Sequence, residues 1–332
     1  MNTRKNSKLI KILCLVCALL LLPTYVSCNT DKEEKQTQGE IYYTVSFNTN
    51  GGSPIQSLKV KENSYAARPD DPTLDNYVFC RWEYDNQIWD FDVKAITCDM
   101  TLNAVWVAAI DLFSLEPAED NTGMLITGFK KQATFSTLVV PSVINGKTIV
   151  GIADDALKNT HDGHAQKIIF PDTVTYVGAE ALAGTAIPIV FNGNVSYVGE
   201  SAFKSCTALE SISLAPGMEN IPFMAFFECS SLKTINVPEG VKTIDENAFE
   251  GCSAMKTVVL PSTLTSIQDS AFLKCNALVS IFFAGSEEQF DALEILDGND
   301  ALIDAKVYFY SETEPDGDGT YWHYEKGVPV IW

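Results

Sequence analysis

The apolar positions of residues 202–281 recur with a fixed period. Ala202-Phe203, Ala225-Phe226, Ala248-Phe249 and Ala271-Phe272 follow one another at intervals of 23 residues. A cysteine comes three residues after each phenylalanine, at Cys206, Cys229, Cys252 and Cys275. Then come Leu209, Leu232, Met255 and Leu278, followed by Ile212, Ile235, Val258 and Ile281, and by Leu214, Val237, Leu260 and Phe283. The first three units add an apolar pair, Met218/Ile221, Val241/Ile244 and Leu264/Ile267. A constant period in this range, apolar at the same places each time, predicts a solenoid. One unit cannot bury its apolar face alone, whereas stacked units bury a continuous one. Ile212 and Leu214 alternate with Ser211 and Ser213, the spacing of a strand with one face inward. Pro238 and Pro261 sit where strand pairing would end.

The same pattern extends upstream through residues 138–141, 149–152 and Ala156-Leu157, then 168–171, Val174/Val177 and Ala181-Leu182, then Ile189/Phe191 and Val195/Val198. Successive Ala-Leu or Ala-Phe pairs are 25, 21, 23, 23 and 23 residues apart. Both irregular intervals change the turn after Ala-Leu, in 158–167 and 183–188, which places the length change on a loop outside the stack. A stack needs its apolar ends covered. Residues 108–137, with a short strand at 123–128, are therefore expected to form an N-terminal cap on a solenoid spanning 138–284. Residues 285–332 would form the C-terminal cap: a short helix at 290–296, a strand at 306–311 and a closing hairpin from 321–324 and 329–332.

Residues 41–107 follow a different pattern. Strands are predicted at 41–47, 57–60, 77–84 and 101–106 from alternating β-forming residues, with Gly51 and Gly52 supplying a turn. Tyr77, Phe79, Trp82, Trp89, Phe91 and Trp106 are expected to fill the core of this small domain rather than to form a stacking platform, because short domains need large side chains. Cys80 and Cys98 leave a disulfide open as an alternative to two thiols.

The N-terminus begins with Arg4, Lys5, Lys8 and Lys11, followed by an apolar run over 9–22 that is short for a membrane span. Residues 25–28 end it at Ser27-Cys28, which resembles a lipobox, with Tyr25 where such motifs prefer leucine. The resemblance implies that residues 1–27 are a lipoprotein signal, that Cys28 is lipidated, and that 28–40 are a flexible tether. The acidic run over 31–35 resembles an export signal to the outer face of an outer membrane.

Two further resemblances organise the rest. The motif [IVL]-x-[LVF]-P…V-x-x-I-x-x-x-A-F-x-x-C-x-x-L resembles that of BspA-like leucine-rich repeats. It implies a right-handed solenoid of short parallel strands. Residues 45–52, Pro69, 71–73, Tyr77, Phe79, Trp82, 89–91, 100–102 and Val105-Trp106 resemble the internalin-type B-repeat, also called the Listeria/Bacteroides repeat, which implies a β-grasp-like module. Arg81 stands where that family usually has glycine. The expected fold is mainly β: a β-grasp-like small domain, then a leucine-rich repeat solenoid of about six 21–25-residue units with terminal caps.

Composition narrows the chemistry. With 46% hydrophobic and 11% aromatic residues the chain reads as globular. A net charge of −20 repels phosphate backbones and anionic membrane surfaces, so nucleic acid is not an expected partner. The four repeated cysteines fall one per coil, never at C-x-x-C spacing, and read as buried small hydrophobes rather than metal ligands. There are 3 histidines. His161 and His164, with Asp162 between them, offer at most a weak metal site without a scaffold. Residues 316–319 carry two aspartates, but their ligand series is incomplete for calcium. No G-x-S-x-G, H-E-x-x-H or P-loop motif occurs. No enzyme activity, cofactor or metal is expected. The expected role is a non-catalytic cell-surface lipoprotein, monomeric and touching the membrane only through its lipid. It would bind an extracellular protein or glycan as an adhesin or recognition module; an accessory subunit for glycan capture is the alternative. Candidate contact residues, pointing outward from the strands, are Ser211, Ser213, Thr234, Asn236, Thr257, Val259, Ser280 and Phe282.

Overall fold

The computed structural model describes residues 40–130, 135, 137–160, 165–315 and 320–332. The leader, Cys28, the tether up to residue 39, His161, His164 and residues 316–319 lie outside the described residues. The architecture below is that of the compact unit Ile41–Trp332.

Five strands build the first module: β1 (Tyr42–Asn48), β2 (Leu58–Lys61), β3 (Tyr77–Tyr84), β4 (Gln87–Ile88) and β5 (Met100–Ala108). They lie in the order β2-β1-β5-β3-β4, with β1 and β5 parallel at the centre and the other pairs antiparallel. This is a β-grasp-like sheet. Val45, Phe79, Trp82, Trp89, Phe91 and Leu102 form its core. Trp106 is half-buried and donates its indole N–H to Thr49 O at 2.9 Å. A Cβ on Gly52 would meet that indole ring at 2.5 Å, so the turn needs glycine there. Tyr77 departs from the expected core and is exposed. Cys80 is buried and Cys98 exposed, and no disulfide joins them.

The pairing of β3 with β5 shifts register between Phe79 and Arg81. A bulge inserts one residue and changes which face the following side chains take. Trp82 thereby returns to the module's core, while Val78 and Cys80 join the core of the solenoid. The departure from the B-repeat pattern at Arg81 falls at this bulge. Asn76 completes the joint. Its backbone oxygen accepts from Ala109 N at 2.8 Å, and its side-chain oxygen accepts from Asn145 N at 2.7 Å.

A one-turn helix, Ala109–Leu112, leads into β6 (Phe113–Pro117), which pairs antiparallel with β7 (Met124–Phe129). Strand β7 is the first rung of a short-strand ladder. It runs in parallel through Lys147–Ile152, Tyr176–Val177 and Tyr197–Val198, and resumes through Asn220–Ile221, Thr243–Ile244, Ser266–Ile267 and Glu294–Ile295. A long-strand ladder lies on the other side of each coil. It contains Leu138–Val139, Ile168–Phe170 and Ile189–Phe191, then Thr234–Asn236, Thr257–Leu260, Ser280–Phe283 and Lys306–Tyr310, again parallel. Among the described residues the short-strand ladder has 8 rungs, one beyond either end of the periodic motif. Strands Tyr321–Glu325 and Val328–Ile331 form a closing hairpin whose first strand also pairs with Tyr310.

The strand expected at Ser211–Leu214 is reduced to a single bridge between Leu214 and Val195. Pro216 stands one residue later in its coil than Pro238 and Pro261 do in theirs. Ala215 therefore keeps an N–H, and it donates to Val195 O at 2.7 Å. Both ladders are interrupted at this coil.

Inside the stack, the rings of Phe203, Phe226, Phe249 and Phe272 pile up with centroids 5.2, 5.3 and 5.2 Å apart. That is close to the spacing of neighbouring strands. The cysteines run beside them, fully buried. Each thiol donates to a backbone oxygen of the preceding coil: Cys206 to Leu182, Cys229 to Phe203, Cys252 to Phe226 and Cys275 to Phe249, at 3.1–3.2 Å. Thr185 takes the same place one coil earlier, its hydroxyl donating to Leu157 O at 3.2 Å. The column is thus a ladder of weak donors that satisfies buried carbonyl groups.

At the C-terminal end Asn299 closes the last coil. Its side-chain oxygen accepts from Phe272 N at 2.9 Å, the position that the backbone oxygen of the next coil fills for Phe249, and its amide donates to Gln268 O and Leu296 O. The helix expected at 290–296 lies earlier, at Glu287–Asp291, because Ser286 and Gln289 form a reciprocal capping box that fixes its start. Residues 294–295 instead take the last rung of the short-strand ladder.

Candidate functional surfaces

Every repeated apolar position points inward, so the outward positions carry whatever differs between coils. Of the expected contact residues, Ser211, Ser213, Thr234 and Asn236 are exposed, and Thr257 and Ser280 are half-buried. Thr234, Thr257, Ser280 and Lys306 lie in register on four neighbouring strands. Thr257 donates to the Thr234 hydroxyl at 2.9 Å, and Ser213 donates to Asn194 Oδ1 at 2.6 Å. Val259 and Phe282 share this outward face, but they are 3% and 7% exposed.

What covers them is aromatic. Val259, Phe282, Tyr308 and Trp322 form a small core of their own outside the sheet. Trp322 is fully buried, packs edge-on against Phe282 at 5.5 Å, and donates its indole N–H to Phe283 O at 2.9 Å. Tyr310 and Tyr324 flank it at 5.2 and 4.9 Å. Burial raises the Tyr324 phenol above its ordinary value, with Glu239 and Tyr310 adding to the rise and Asn236 opposing it. Two of the eight outward positions are therefore roofed by the closing hairpin, and the open part of this face runs from Ser211 to Asn236.

The short-strand ladder carries a second surface. Tyr176 and Tyr197 occupy the same outward place in successive coils and stack with centroids 4.6 Å apart and planes 4° from parallel. Tyr197 is 49% exposed. The β6–β7 hairpin walls one side of a groove of about 650 Å³ lined by Glu116, Glu119, Asp120, Thr127, Asp154 and the two tyrosines, among others. Asp154 is held by Ala179 N at 2.8 Å, and Asp120 by the N–H and hydroxyl of Thr122 at 2.9 and 2.7 Å. Those bonds lower the Asp120 carboxyl below its usual range. Burial raises the Tyr176 phenol, and the nearby Tyr197, Asp154 and Glu119 raise it further. Sequence reasoning passed over this pair. The signal was present as tyrosine in the variable place of Val174-x-Tyr176-Val177 and Val195-x-Tyr197-Val198, where later coils have Asn220, Thr243 and Ser266.

Comparison with known proteins identifies both modules. Residues 186–292 match the family model of the BspA type leucine rich repeat region, and residues 43–105 match that of the Listeria-Bacteroides repeat domain. The chain thus contains a BspA-type leucine rich repeat region and a Listeria-Bacteroides repeat domain. Among solved structures, a leucine rich repeat protein of T. pallidum is 26% identical with a TM-score of 0.46, covering 51% of this chain and 78% of its own. A leucine rich cell surface protein of Faecalibacterium prausnitzii is 26% identical with a TM-score of 0.37, covering 54% of this chain and 40% of its own. A protein of Evansella cellulosilytica, named provisionally as a membrane protein, is 32% identical over 119 residues, or 35% of this chain. The match spans 18% of that relative's length.

Proposed function

We propose that this protein is a non-catalytic recognition module of the cell surface, held by a lipid on Cys28, that binds an extracellular macromolecule through the outward faces of its solenoid. The observation that carries the reading is the division of labour within each coil. Repeated residues are buried, and the exposed residues at 211–236 change from coil to coil on a rigid frame. Small polar side chains such as Ser211, Ser213, Thr234 and Asn236 contribute little anchoring energy singly, so recognition of this kind draws on a broad contact. The outer-membrane location rests on the acidic run after Cys28, and the membrane in the name of the Evansella relative agrees with a tethered chain. Biolayer interferometry of the protein over a panel of immobilised matrix proteins and glycans tests the proposal. Binding to at least one protein ligand is expected, weakened by Thr234→Arg or Asn236→Arg. A flat response across the panel would count against it.

A further inference from the structure

The groove beside Tyr176 and Tyr197 has a composition that selects its ligand. Its acidic groups are Glu116, Glu119, Asp120 and Asp154, and none of its lining residues is Lys, Arg or His. Two of the carboxylates are already fixed in place by hydrogen bonds to Ala179 and Thr122. The floor is an aromatic slab: the tyrosine rings cover each other on one side, and parallel pairing of the short-strand ladder stops at Tyr197–Val198. Tyr176 lies in register with Gly151, which has no side chain to cover the ring's other face, and Asp154 and Glu119 are close enough to act on its phenol. The lining's side-chain donors are hydroxyls alone, from Thr, Ser and Tyr, while four carboxylates face the groove with no cation among the lining residues to offset them, a balance that favours a charged donor over a neutral sugar. A cation needs only acceptors and a π face.

We infer that this groove binds a peptide segment of a partner protein through an Arg or Lys side chain, the cation lying against Tyr176 and paired with Glu119 and Asp154. The inference rests on the recognition role proposed above and adds to it a second surface and a partner chemistry. The guanidinium of arginine, which stacks on rings and forks onto carboxylates, suits the site better than the lysine ammonium.

Fluorescence polarisation of the full chain with a labelled, acetylated Arg-Gly-Ser repeat peptide tests it, alongside the citrulline counterpart and a neutral oligosaccharide. The Arg peptide should bind, the citrulline peptide should bind more weakly, and added salt should reduce binding because partly exposed ion pairs are screened. Tyr176→Leu combined with Glu119→Gln should weaken the Arg peptide roughly tenfold, the combined size of an exposed cation–π contact and an exposed ion pair, with an unchanged melting temperature. Equal affinity for the Arg and citrulline peptides, or preference for the oligosaccharide, overturns the inference. If the double variant keeps peptide binding, the groove assignment falls while recognition through the other face stands. If the wild type binds neither peptide nor any member of the matrix panel, both fall.

Discussion

The four column cysteines show what a single residue type does when it is repeated at one place in a stack. Burial pushes the thiols of Cys206 and Cys275 up to about 12 and those of Cys229 and Cys252 well above their ordinary value of 9.0. The sign of the consequence follows from linkage. Above pH about 9 the unfolded chain loses these protons while the folded chain keeps them, so the unfolded state binds fewer protons and stability falls as pH rises towards about 12. Each thiol contributes at most about 1.4 kcal/mol per pH unit in that window. Urea unfolding between pH 8 and 11 should therefore give a steeper decline for the wild type than for Cys206→Ala/Cys275→Ala; parallel curves would refute the assignment. The sequence betrays the cysteine period plainly. It does not betray that each thiol serves a carbonyl of the coil below, nor that Thr185 serves one too, because the donor's partner lies 24–28 residues away and is a backbone atom.

At the scale of elements, the closing hairpin holds down the outer face of the long-strand ladder. Trp322→Ala should lower stability by roughly 3–5 kcal/mol, the cost of removing a fully buried aromatic side chain, and leave Phe283 O without its donor. Thermal unfolding measures the loss, and increased binding of a hydrophobic dye would report the uncovering of Val259 and Phe282. An unchanged transition would mean that the roof is ornamental. The strands of this region were readable from sequence, because Lys306–Tyr310 and the hairpin alternate in residues that favour sheets. Their partners were not readable. Nothing in the spacing shows that the hairpin folds across Val259 and Phe282, so these two looked like open contact positions. The left-handed turn before each cysteine was equally hidden. Ser205, Glu228, Gly251 and Lys274 have φ of 56°, 56°, 77° and 62°, but only Gly251 has the residue type that announces such a conformation. The tyrosine groove escaped for a related reason: its walls come from β6–β7 and from coils far along the chain.

For the whole molecule, the joint between the two modules decides whether they behave as one body. Val78 is 1% exposed and belongs to the solenoid's core although it lies on a strand of the first module. A buried unpaired charge there costs several kcal/mol. Limited proteolysis with mass spectrometry should release a fragment ending near residue 108 from Val78→Asp but not from the wild type. Equal cleavage of both would show that the modules are coupled some other way. The repeat period and the B-repeat pattern made both folds legible and left this joint illegible, since the bulge that returns Trp82 to the module's core beside Val78 and Cys80 inserts a single residue into an otherwise ordinary strand.

The phenylalanine column has one last consequence. Its rings advance by 5.2–5.3 Å per coil along the four phenylalanine coils. The stack is therefore a ruler graduated in whole coils. A duplication of one 23-residue unit would slide the tyrosine groove away from the aromatic roof by about one strand spacing, leaving both intact. Copy number alone could then tune the distance between the two surfaces, so relatives differing by one repeat could grip partners of different length with unchanged contact residues.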